Sequence, residues 1–199
     1  MVPNKTALNY TVLAMPQQSS SEEGFVNREL TSLAFDQLWD AIRTCTLNVL
    51  FHRQKARETG RLETLIQIVS MALATVAGAG IIELPSVRDS LWAVLAFCSA
   101  IAGQLPAVFK LPDKRLENKR FDNEYSSVLA DLLRIVSRAK AVGGLTQELH
   151  SQLQLSLEKF NFVIQKDDTD YRPNELGPLE QQTLKMYPRS KDWKPESAL

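Results

Sequence analysis

The chain has 199 residues with 23 basic and 23 acidic side chains, and it therefore carries no formal net charge at pH 7. A chain without a basic surplus lacks the electrostatic signature of nucleic-acid-binding proteins, and its length corresponds to one domain with extensions. Two cysteines are too few for a disulfide framework and fit a reducing compartment.

The first part of the chain, residues 1–26, is predicted to be a flexible N-terminal segment. It contains the polar run QQSSSEEG and no continuous apolar stretch of the kind found in signal peptides. Insertion into a membrane is therefore expected to depend on segments inside the chain.

Residues 27–60 are predicted to form one long amphipathic helix on the cytosolic side. No proline interrupts this segment, and Gly60 is a candidate bend at its end. Apolar or small side chains recur along it at helical spacing. This series consists of Leu30, Ala34, Leu38, Ile42, Cys45 and Val49.

Two strongly apolar segments follow, at residues 62–82 and 91–109. Each has about 20 residues, so each helix would measure about 30 Å, close to the hydrocarbon thickness of a bilayer. Neither carries a polar stripe wide enough for a surface helix. The two segments predict an all-α membrane protein with a two-helix transmembrane hairpin. The alternative is a buried helical hairpin in a soluble bundle.

The charges beside these segments predict how the hairpin is oriented. Basic residues cluster before the first segment, in RQKARETGR, and after the second, in KLPDKRLENKR. The connecting loop ELPSVRDS holds a single basic residue, Arg88. Since basic flanks stay on the cytoplasmic side, we expect a multi-pass protein of the inner (plasma) membrane with both termini in the cytoplasm.

Small residues recur every four positions in both apolar segments. Such rows allow helix backbones to approach closely in lipid. They either seal a single hairpin or also assemble several hairpins. The predicted packing residues are Ser70, Ala74, Gly78, Ser99, Gly103 and Ala107.

Three further residues of the apolar segments carry predictions. Gln67 and Gln104 are expected at similar depth, about 7 Å inside the cytosolic interface. Amides in a membrane need polar partners, so these two bond each other, bond across protomers or line a wet pathway. Pro106 removes a backbone donor near the cytosolic end of the second helix and is a candidate hinge.

Two more amphipathic cytosolic helices are predicted, at residues 116–141 and 146–164. The pair Gly143-Gly144 separates them, and Thr146 is the expected N-cap of the second helix. Each helix has one apolar face that must be buried, which predicts a small cytosolic bundle.

The last part of the chain, residues 166–199, is polar and rich in proline. It is predicted to be a loosely structured tail. Tyr187 and Trp193 are the expected anchors if the tail becomes ordered against a partner.

The sequence contains no residue set that indicates catalysis, a cofactor or a metal site. The stretch TVAGAGIIEL superficially resembles a dinucleotide-binding turn, but Glu83 occupies the position of the required third glycine and Pro85 would break the following helix. His52 and His150 lie in polar helical stretches without paired ligands and are expected to be solvated. We therefore expect a protein that is not an enzyme.

The order of the predicted parts resembles the SLATT family, the SMODS and SLOG-associating two-transmembrane effector domains of bacterial conflict systems. The resemblance rests on FDQLWDAIRTC, the basic HRQKAR, two membrane helices with a minimal outer loop, and FDNEYSSVLADLLRIVSRA. It covers about residues 30–157, so residues 27–165 are predicted to form a SLATT-like domain.

The resemblance implies a membrane effector of antiphage defence. Such a hairpin forms homo-oligomers and permeabilises or depolarises the inner membrane. Its trigger comes from a partner, a neighbouring nucleotide second-messenger synthetase or sensor protein. The alternative function is a passive membrane anchor or scaffold whose cytosolic helices dock a partner protein. Neither function requires direct nucleic-acid binding.

Overall fold

The computed structural model describes residues 23–83, 89–169 and 171–195, with side chains in 31–76, 94–169 and 171–195. These residues form helices and no β-strand, which confirms the predicted all-helical class. The elements are α1 (Glu23–Glu83), α2 (Asp89–Val108), α3 (Leu111–Val142), α4 (Gln147–Lys166), α5 (Pro173–Met186) and a 3₁₀ turn (Arg189–Lys191).

Helix α1 is one continuous helix where the sequence predicts two, at residues 27–60 and 62–82. A glycine inside a helix costs about 1 kcal/mol relative to alanine, which made Gly60 a candidate bend. In the structure the missing side chain provides space, because a Cβ atom on Gly60 would lie 3.2 Å from Nε of Arg115. The residue marks a close approach of α3 rather than a helix end.

The described residues fall into two compact units. Unit 1 combines the chain up to Leu50 with the chain from Asn123 onward, and unit 2 comprises Phe51–Asp122. Helices α1 and α3 each contribute residues to both units.

Unit 1 has the helical apolar core that the sequence patterns predict. Its largest fully buried side chains come from α1, α3 and α4, and each contributes about 1.5–3 kcal/mol of burial free energy. They are Phe35, Leu38, Ile42, Tyr125, Val128, Leu132, Leu153 and Phe160. Thr146 is confirmed as the N-cap of α4, since its side chain accepts a hydrogen bond from the Leu149 amide.

A buried carboxylate fixes the end of α4 in unit 1. Asp167 accepts hydrogen bonds from the hydroxyls of Tyr125, at 3.0 Å, and of Tyr171. Burial raises the pKa of both tyrosines well above the usual value. Both therefore stay protonated as hydrogen-bond donors at neutral pH.

The C-terminal segment differs from the loose tail that its composition predicts. It contains α5, and Tyr187 and Trp193 pack on α1 of the same chain. Trp193 meets the Phe35 ring edge-on at 5.4 Å, and its carbonyl accepts a 3.1 Å hydrogen bond from the indole of Trp39. The polar composition of the segment did not predict this docking, because only a few aromatic side chains anchor the segment.

A largely buried ion pair adds to this docking. The guanidinium of Arg43 binds the carboxylate of Asp192 and also donates to the carbonyl of Tyr187 at 3.1 Å. Both charged side chains are largely buried, with 10% and 15% of their surface exposed.

We expect Arg43→Ala to lower the free energy of unfolding of unit 1 by about 3 kcal/mol, because it leaves the buried Asp192 charge without its partner. Thermal unfolding in detergent, followed by circular dichroism, measures the loss. The matched control is Arg134→Ala. The Arg134 side chain is 70% exposed, so its ion pair with Asp131 contributes less than about 1 kcal/mol. Equal destabilisation by the two variants would contradict this assignment.

Candidate functional site in the helix hairpin

Unit 2 is an antiparallel pairing of α1 with α2 and the start of α3. Ser70 of α1 contacts Ser99, Glu63 contacts Arg115, and Arg53 contacts Asp122. Partner numbers therefore rise as the α1 numbers fall, which defines an antiparallel helix hairpin.

Two serines close the hairpin. The Ser70 hydroxyl donates to the Ser99 carbonyl at 3.0 Å, and the Ser99 hydroxyl donates to the Ser70 carbonyl at 2.9 Å. A Cβ atom on Gly103 would lie 3.2 Å from the Ser70 hydroxyl oxygen, so glycine permits this approach. Three residues of the predicted small-residue row therefore meet at one contact.

The other members of that row lie elsewhere. Ala74 and Ala107 are exposed in the chain. They remain available for packing against another helix. Gly78 belongs to α1, in the part of that helix whose packing lies outside the described residues.

Large apolar side chains cover the outside of the hairpin. In the part of the chain that the structure describes, one stretch is long and apolar enough to cross a membrane, Val94–Val142. It contains an 18-residue window with a mean hydropathy of 1.6, and 17% of this window is buried. A core helix of a soluble protein is mostly buried, unlike this window. The exposed side chains include Leu65, Ile68, Met71, Val76, Val94, Phe97, Ile101 and Val108.

On α1 the structure describes side chains only as far as Val76. Within these residues, the predicted segment 62–82 is not found to be a second stretch long and apolar enough to cross a membrane. The two-helix membrane hairpin therefore stays a prediction. Several α1 side chains of this segment are nevertheless as exposed as those of α2: Leu65 and Ile68 are each 61% exposed, and Met71 is 70% exposed.

Both predicted glutamines are exposed on the hairpin. Among the described residues, Gln67 and Gln104 make no hydrogen bond to each other or to another side chain. Of the three arrangements open from sequence, a bond between them within one chain is absent here. Their amides are free for a second protomer or for water.

Pro106 lies buried in the last turn of α2, which ends at Val108. The helical conformation is interrupted after it, where Lys110 adopts a left-handed backbone with φ of 50°. This conformation is rare for residues other than glycine. The structure therefore places the break between α2 and α3 at Lys110, and the hinge role of Pro106 stays a prediction.

The expectation that His52 is solvated is wrong. Its ring is fully buried, lies 5.2 Å from the Phe121 ring and shares a 3.0 Å hydrogen bond with the side chain of Asn118. The two residues are 66 positions apart, so helical spacing alone gave no signal of the pairing. The contact is structural and joins α1 to α3 within unit 2.

The two cysteines differ in accessibility. Cys45 is buried in unit 1, and this burial raises the pKa of its thiol, whereas Cys98 on α2 is exposed. Among the described residues, no group of three or more His, Cys, Asp or Glu side chains is arranged to hold a metal ion.

Comparison with known proteins gives no match. No protein-family model, curated protein or solved structure matches this chain. The functional argument therefore rests on the geometry of the hairpin.

We expect Gly103→Leu to destabilise the hairpin by about 1–3 kcal/mol, because the new side chain would collide with Ser70 and overpack the contact. Thermal unfolding in nonionic detergent measures the change. Ala100→Leu is the matched control, because Ala100 is an exposed residue of the same helix. The contact would be refuted as a packing site if both variants unfolded alike.

We expect Asn118→Ala to cost about 1–3 kcal/mol, since it removes the partner of a buried histidine nitrogen. Asn123→Ala, at an exposed position of the same helix, should change stability by less than about 0.5 kcal/mol. Denaturant titration of the two variants in parallel tests the difference. A neutral Asn118→Ala variant would show that His52 does not depend on this bond.

Proposed function

We propose that this protein is a membrane effector of a bacterial antiphage system. Its hairpin crosses the inner membrane, assembles as a homo-oligomer and permeabilises or depolarises that membrane when a partner or nucleotide signal triggers it. The SLATT-like order of segments supports this assignment, and the trigger would come from a neighbouring nucleotide second-messenger synthetase or sensor protein.

The observation that carries the proposal is the exposed apolar surface of the hairpin. Each large apolar side chain left in water forgoes about 1.5–3 kcal/mol of burial free energy, and α1 and α2 expose many of them. Lipid or neighbouring hairpins would cover this surface. One helix pair is too slender to enclose a pore, so permeation requires several copies.

The serine contact suits this environment. The Ser70 and Ser99 hydroxyls bond to the backbone of the opposite helix, where water does not compete in a bilayer. The exposed Ala74 and Ala107 then offer small surfaces to the next hairpin. Gln67 and Gln104 would contribute polar groups to a wet pathway between protomers.

A passive anchor or scaffold is the second candidate function. It is favoured by two exposed apolar side chains on α4 in unit 1, Leu155 at 66% and Phe162 at 56%, which could receive a partner protein. In this case the hairpin only holds the protein at the membrane. The glutamines would then have no functional role.

The test measures membrane potential with a voltage-sensitive dye in bacteria that express the full chain together with its neighbouring gene during phage infection. We expect triggered depolarisation by the unaltered chain, and loss of most of it in the double variant Gln67→Leu, Gln104→Leu. That variant should remain in the membrane fraction, because leucine favours insertion.

The matched control replaces two exposed glutamines of α5, Gln181→Leu and Gln182→Leu, and should depolarise normally. An unchanged potential in triggered cells with the unaltered chain would refute the effector function. Normal depolarisation by the Gln67, Gln104 variant would refute the polar pathway while leaving the effector function in place.

A further inference from the structure

Unit 2 contains a basic cleft between α1 and the start of α3. Its volume is about 780 Å³, which falls within the range of small-molecule binding sites. The charged side chains that line it are Arg53, Arg57, Arg61, Arg115, Lys119 and Asp122. Five of these six are cationic, although the whole chain is neutral.

Two of the five cations are held in place by acidic neighbours. Arg53 pairs with Asp122 at 3.1 Å, and Arg115 pairs with Glu63 at 3.2 Å. Both arginines remain partly exposed, at 46% and 41% of their side-chain surface. Guanidinium groups oriented in this way can still donate to a second anion.

The other three cations make no hydrogen bond or ion pair within the described part of the chain. Arg57, Arg61 and Lys119 are exposed. They come from two helices, and the spacing of four residues from Arg57 to Arg61 and from Arg115 to Lys119 places each pair on one helix face. Their charge in the cleft is therefore uncompensated.

The cleft also has an apolar wall at one end. Leu65 and Ile68 line it, and each is 61% exposed. Both belong to the apolar stretch of α1 that follows the arginines in sequence. A ligand that fits this lining carries negative charge at one end and hydrocarbon at the other.

We propose that this cleft binds the phosphate headgroup of an anionic phospholipid, with its acyl chains along Leu65 and Ile68. Free phosphate compounds share the headgroup chemistry but would leave the apolar wall uncovered. Basic side chains near a membrane each favour anionic over zwitterionic lipid by about fivefold, so three uncompensated cations predict a preference of about 100-fold. The inference rests on the proposed membrane insertion of the hairpin.

The experiment is a binding measurement with the full chain in nonionic detergent. Soluble short-chain phosphatidylglycerol, short-chain phosphatidylcholine and inorganic phosphate are titrated separately, and native mass spectrometry counts the bound molecules. We expect phosphatidylglycerol to bind at least 10-fold more tightly than phosphatidylcholine. We also expect inorganic phosphate to bind much more weakly than phosphatidylglycerol.

The cleft variant is Arg57→Ala, Arg61→Ala, Lys119→Ala, which changes only exposed side chains that have no hydrogen bond or ion pair among the described residues. We expect it to bind phosphatidylglycerol as weakly as phosphatidylcholine. The charge-matched control also removes two arginines and one lysine, Arg172→Ala, Arg189→Ala and Lys185→Ala, all exposed in unit 1. This control should keep the preference for phosphatidylglycerol.

Equal affinity for the two lipids would overturn the proposal, and so would a preference that survives in the cleft variant. Phosphate binding as tight as phosphatidylglycerol binding would assign the cleft to a soluble ligand and would also overturn it. The titration measures no current, so loss of depolarisation in cells with intact lipid selectivity would refute the effector function alone. Loss of selectivity with intact depolarisation would refute the lipid site alone.

Discussion

Two helices that pack side by side bury only the faces that meet, and this constraint governs unit 2. Helices α1 and α2 carry large apolar side chains around their circumference, while their mutual contact covers small residues such as Ser70, Ser99 and Gly103. The surface that remains must meet lipid, another copy or a partner. Each function proposed for the hairpin depends on which of these covers the exposed apolar surface.

The serine pair shows why small side chains lie at the contact itself. Large side chains there would separate the backbones and lose the hydroxyl-to-carbonyl bonds that Ser70 and Ser99 exchange. Placing the large side chains outside costs free energy in water and none in hydrocarbon. The distribution of residue size around the hairpin is therefore the reverse of that around the core of unit 1.

Helices and their buried faces were predictable from the sequence because they depend on short-range periodicity. The apolar series from Ala34 to Val49 and the N-cap at Thr146 both lie in the structure as expected. Contacts between distant segments were not predictable. His52 meets Asn118 across 66 residues, and Arg43 meets Asp192 across 149, without any local pattern.

The candidate site also combines features that were predictable from the sequence with features that were not. The residue types at Ser70, Ser99 and Gly103 indicated close packing, but only the structure gives their register. The basic cleft could have been anticipated from the four-residue spacing of its arginines and lysine. Its apolar wall could not, because Leu65 and Ile68 read as ordinary members of a membrane segment.

The unequal burial of the two cysteines has a practical consequence. With Cys45 enclosed in unit 1, Cys98 is the one thiol of the natural sequence that a reagent would reach readily. The unaltered protein is thus already suited to attachment of a single fluorophore or spin label. That label would sit next to Ser99, at the point where α2 meets α1, and would sense the polarity of whatever surrounds the hairpin.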